Sequence, residues 1–138
     1  MPAVHGSRNL SERLSVVAER ALSFLSFDNS TVEIFLLSGK EMLKLEKRVG
    51  LRKAAGHTPN VLSFTEPIGF PRPETKKRIL GEVYVNKDLA KHGFGELAYL
   101  LVHGILHLIG YSHTKKNDIL QMEALEKKIC EKIFRDIA

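Results

Sequence analysis

A chain of 138 residues with 43% hydrophobic side chains is long enough to bury one core and short for two. Its single cysteine, Cys130, excludes an intrachain disulfide, and it has no run of about 20 apolar residues with which to span a bilayer. Lys and Arg outnumber Asp and Glu by 21 to 16, a net charge of +5, which suits a polyanionic partner but does not identify one.

Asn9 and Glu12 have the spacing of a helix cap with its reciprocal acid. Leu10, Leu14, Val17, Ala18, Ala21 and Leu25 then form a helical stripe. Thr31 to Leu37 is rich in β-branched and aromatic residues and predicts a strand. Ser38 and Glu41 form a second capping pair and open a helix that should end near Gly50. Residues 52–60 make a basic loop containing Gly and Pro. Val61 to Phe64 predicts a short strand. Residues 66–77 carry three prolines and Gly69 and predict a long exposed loop, a kind that is often functional.

Ile79 to Asn86 alternates as a strand, and Asn86 to Lys91 predicts one helical turn stopped by Gly93. An apolar helix follows over about residues 95–109. A final helix over about 117–135 places Ile119, Met122, Leu125, Ile129 and Ile133 on one face. The order predicts one α+β domain over residues 1–138: a small mixed sheet packed with helices. Three strands are visible, and a fourth is sought in the Pro-rich loop or near Leu51. No N-terminal segment resembles a signal peptide, so the cytoplasm is the expected location. Cys130 falls in a helical pattern and is expected to be a packed side chain.

The chemistry concentrates in His103-Gly-Ile-Leu-His107-Leu-Ile-Gly110-Tyr-Ser-His113. Residues i and i+4 share one helix face, close enough for two imidazoles to meet one ion. Gly110 suits the left-handed conformation at a helix C-terminus, so the chain can turn back and bring His113 to the same point. From Leu97 to Ile109 only His103, Gly104 and His107 break the apolar run. A helix of that composition is expected to be buried almost all round, where imidazoles need partners. His103, His107 and His113 are therefore the predicted metal ligands, on a central helix and the turn after it. Zinc suits three imidazoles, and other divalent transition metals bind such sites too. His5, His57 and His92 lack the spacing and are expected to be ordinary loop or surface residues.

The spacing matches the metzincin zinc motif, but Gly104 stands where that motif carries its general-base Glu. Peptide hydrolysis by that route is disfavoured. A zinc site can still activate water near neutral pH, and phosphodiester cleavage needs charge stabilisation that a metal and an Arg supply. The basic residues cluster at Lys44, Lys47, Arg48, Arg52 and Lys53, and again at Arg72, Lys76, Lys77 and Arg78. The second cluster could track an RNA backbone or be a solvated loop tip.

Four segments together resemble the YbeY family of bacterial endoribonucleases. They are Leu101 to His113; Asn60-Val-Leu-Ser-Phe64; Leu80-Gly-Glu-Val-Tyr-Val-Asn86; and Met122-Glu-Ala-Leu-Glu126. The resemblance implies a single-strand-specific metalloendoribonuclease acting in 16S rRNA maturation and ribosome quality control. Its partners would be ribosomal RNA and the small subunit. It implies zinc held by His103, His107 and His113, and an Arg on the loop before the Val61 strand facing the metal cleft, best matched by Arg52. The chain departs from the family pattern at Ser112, where an Asp is usual. It also departs at Pro59, which lengthens the loop and leaves Arg48 as an alternative to Arg52. Two other readings stay open: a metalloprotease-like hydrolase with another base, and a non-catalytic ribosome-assembly factor whose metal is structural.

Overall fold

A computed structural model describes residues 3–5, 8–50, 58–65, 78–111 and 116–137. Four strands form one sheet: β1 (Ala3–His5), β2 (Ser30–Leu37), β3 (Val61–Thr65) and β4 (Arg78–Asn86). The helices are α1 (Arg8–Phe24), α2 (Gly39–Arg48), α3 (Phe94–Ile109) and α4 (Lys116–Ile137), with a 3₁₀ turn at Lys87–His92. The α+β expectation holds. Leu51 and the Pro-rich loop, the expected places for a fourth strand, lie outside the described residues, within which the fourth strand is found at the N-terminal end. It is β1, three residues long and therefore too short to show a period of two. It owes its state to parallel pairing with β2.

The sheet order is β1-β2-β4-β3. β2 pairs in parallel with β1 on one side and β4 on the other, whereas β3 runs antiparallel to β4 and occupies the edge opposite β1. The alternation of β2 buries Val32, Ile34 and Leu36, and that of β4 buries Val83 and Val85. These meet Leu14, Val17, Ala18 and Ala21 of α1, the long apolar run of α3, and Met122, Ile129 and Ile133 of α4 in one core. Met42 of α2 is also buried but stands outside that cluster. Away from the core side, Phe35 and Tyr84 stack at 4.6 Å and Phe64 meets Tyr84 edge-on at 5.7 Å.

Local signals are realised with two adjustments. Ser38 caps α2 through both arms of the capping box: its hydroxyl accepts from the Glu41 N–H, and Glu41 accepts from the Ser38 N–H. Asn9, by contrast, lies inside α1, which begins at Arg8, so the predicted cap is not at the terminus. Between Thr31–Ile79 and Glu33–Glu82 the register slips, with an extra residue on β4. Gly81 sits at that bulge. A Cβ there would lie 2.2 Å from the Phe64 carbonyl oxygen, so only Gly lets β3 and β4 approach so closely.

Candidate metal centre

α3 begins after Gly93 and stops at Gly110, which takes the left-handed conformation (φ 119°, ψ 0°) expected of it. The helix is less enclosed than its composition suggests. From Leu97 to Leu108 only Tyr99, His103 and His107, spaced by four, are not buried, and Tyr99 is 41% exposed. The His103 and His107 rings meet edge-on with centroids 4.7 Å apart. Their Nε2 atoms stand 3.1 Å apart.

The donor set fits a metal ion. His103 Nδ1 lies 2.5 Å from Glu126 Oε1. With the Glu126 carboxylate accepting, Nδ1 is the donor nitrogen, and in the neutral imidazole that a metal requires Nε2 is the one with the lone pair. Two nitrogens about 2.0–2.1 Å from one ion stand close to the observed 3.1 Å apart when their angle at the ion is a little under tetrahedral. A carboxylate behind a ligating imidazole is the usual support for such a ligand. Among the described residues no group of three His, Cys, Asp or Glu side chains forms a ligand set. His113, the third predicted ligand, and Ser112 lie outside the described residues.

Glu126 did not emerge from the sequence as a site residue. It is 1% exposed in α4, between Met122 and Ile129 on the buried stripe. An acid inside an apolar stripe was the available signal. Tyr99 shares it: the hydrogen bond to Glu126, followed by burial, holds the phenol well above its ordinary range. Cys130, near Glu126, is pushed up to about 11, first by burial and then by that carboxylate. It stays a thiol at neutral pH and is a packed side chain, as expected.

A cleft of about 520 Å³ opens beside the two histidines. Val61, Leu62, Ser63 and Thr65 of β3 form one wall, with His103, His107 and Leu108 of α3 opposite. The two walls are pinned together where Ser63 Oγ donates to the Gly104 carbonyl oxygen at 3.0 Å. At Gly104 a Cβ would meet Val83 Cγ1 at 2.6 Å, Ser63 Oγ at 2.9 Å and Val61 Cγ2 at 3.1 Å. The position that carries the base of a metalloprotease thus faces the sheet with no room for any side chain.

Arg52 lies outside the described residues. Arg48, the alternative, ends α2, and its charge is felt at the Tyr84 hydroxyl. It is not among the described residues lining the cleft. Tyr84 itself is pushed up to about 12 by burial and by Glu82.

The chain is similar to known proteins over most of its length. The proteins named Endoribonuclease YbeY from Persephonella marina and Sulfurihydrogenibium sp. are 30% and 33% identical. The matches cover 93% and 87% of this chain, and 87% and 81% of theirs. The one from Bartonella bacilliformis is 34% identical over 87% of this chain and 82% of its own. The solution structure of TM1509 from Thermotoga maritima shares the fold, with a TM-score of 0.61 over 98% of this chain and 89% of that one, at 22% identity. The family model described as Endoribonuclease YbeY matches residues 4–134, nearly the whole length, and the chain belongs to that family.

Proposed function

We propose that this protein is a single-strand-specific, zinc-dependent endoribonuclease that works in the cytoplasm on 16S rRNA maturation and ribosome quality control. Membership of an endoribonuclease family over residues 4–134 carries the reading. The paired imidazoles at 3.1 Å, backed by a buried carboxylate, support its metal dependence. No helix among the described residues is long and apolar enough to cross a membrane.

His103 and His107, with His113, would hold the ion. Glu126 keeps the His103 proton on Nδ1 and so presents Nε2 to the cleft. When bound, the ion would supply Lewis acidity towards water and a phosphate oxygen. Arg52 would offset negative charge as the phosphodiester is cleaved. Gly104 contributes no proton transfer and closes the helix against the sheet. The metzincin route has no base here, because Gly104 has neither a side chain nor a space for one; a hydrolase with another base is separated by its substrate.

Metal analysis of purified protein beside a cleavage assay on a single-stranded rRNA precursor tests the reading. About one zinc per chain, cleavage of the single strand and sparing of duplex are expected. His107→Ala should lose both metal and cleavage with the fold kept. Full activity of a metal-free His107→Ala protein would remove the metal from the mechanism. Cleavage of unstructured peptide instead of RNA would reverse the substrate assignment.

A further inference from the structure

The wall of the cleft opposite the histidines is a strand edge. β3 pairs with β4 on one side, and among the described residues no strand pairs with the other. In an antiparallel ladder, directly opposed residues alternate between pairs that exchange hydrogen bonds and pairs that do not. The phase here is set at Asn60, whose carbonyl oxygen accepts from the Asn86 N–H at 2.9 Å. With Val61 opposite Val85 and each later pair one step on, Leu62 and Phe64 exchange bonds with Tyr84 and Glu82. The backbone N–H and C=O groups of Val61, Ser63 and Thr65 must then point away from β4, along the free edge. These three residues all line the cleft. Their position relative to the histidines is held by the Ser63 bond to Gly104, the neighbour of His103.

We propose that this free edge is the track for single-stranded RNA entering the cleft. The outward N–H and C=O groups of Val61, Ser63 and Thr65 hydrogen-bond the exposed edges of its bases. The inference rests on the endoribonuclease reading above and adds where the substrate lies. An extended strand edge offers donors and acceptors at every second residue, about 6.8 Å apart. An unpaired base offers complementary groups on its Watson–Crick edge. In a duplex those edges are already used, so the track selects single strands without reading a sequence. Peptide is the other ligand that a strand edge can take. RNA is favoured because the chain belongs to an endoribonuclease family and carries an excess of cations.

Two measurements test it. In a titration of the ¹⁵N-labelled chain with a short single-stranded 2′-O-methyl RNA, the amides of Val61, Ser63 and Thr65 should shift. Those of Leu62 and Phe64, tied to β4, should shift much less. Thr65→Pro removes one outward N–H from an exposed edge position without breaking a bond to β4. It should raise KM for single-stranded RNA about five- to tenfold, the loss of one hydrogen bond, with kcat and Tm kept. If the wild type cleaves single-stranded RNA while the three amides stay unmoved, the track is overturned and the function stands. The same follows if Thr65→Pro keeps the wild-type KM. If unstructured peptide moves these amides at lower concentration than RNA, the occupant is wrong. If the wild type cleaves no RNA, the functional reading fails and takes this inference with it.

Discussion

Glu126 and Gly104 illustrate how single positions set the chemistry of this cleft. Glu126 holds the His103 ring by its Nδ1 proton from a site that is 1% exposed. Glu126→Gln keeps the volume but exchanges the anion for a neutral amide. Zinc affinity should fall about 10–100-fold, read by competition with a chromophoric chelator. The apo protein should keep its circular dichroism. Affinity unchanged within twofold would mean that the carboxylate does not orient the ligand. Gly104→Ala sets a Cβ 2.6 Å from Val83 Cγ1 and 2.9 Å from Ser63 Oγ. Alanine's helix propensity would return about 1 kcal/mol, whereas overpacking costs about 1–3 kcal/mol. Val83 is β-branched and fully buried, and Ser63 is tied to the Gly104 carbonyl, so neither gives way easily. A net loss of up to about 2 kcal/mol is expected in urea unfolding; a stabilised variant would show that the helix can slide. The histidine spacing was legible in the chain. Glu126 was not assigned a role because its partner is 23 residues away, on another helix.

At the level of elements, most starts and stops follow from local chemistry. The α2 cap and the Gly110 stop come from residues within one turn of each helix end. Ser38→Ala should cost about 1 kcal/mol at neutral pH, measured by chemical denaturation. The cap is also pH-dependent. The bond from the Ser38 backbone, and then the Ser38 side chain, hold the Glu41 carboxyl below its usual 4.5. A carboxyl lowered on folding contributes stability above its unfolded pKa and loses it as pH falls through the folded one. The gap between wild type and Glu41→Gln, which keeps the bond to the Ser38 N–H but not the charge, should therefore be full above about pH 5 and narrow on acidification below the usual carboxylate range. A gap that widens in acid would refute this. β1 and the bulge at Gly81 were not legible, because each exists only through a neighbouring strand.

At the scale of the whole molecule, a site built from two helices should couple ligand binding to stability. Metal that binds only the folded chain stabilises it by about 2.7 kcal/mol at a hundredfold excess over Kd. For a chain of this length, chelation should lower Tm on the order of 10 °C. His107→Ala, unable to bind, should show no such shift in differential scanning calorimetry. An equal shift in that variant would place the metal elsewhere. The sequence by itself determined the α+β class, the order of the main elements, the histidine helix with its glycine stop, and the family. These rest on periodicities, caps and spacings that act over a few residues. The tertiary structure alone decided that Glu126 backs His103, that Gly104 is shut against Val83 and Ser63, and that β3 lies at the edge beside the histidines. Those contacts join residues tens of positions apart. They form only when the helices close over the sheet and bury the shared core.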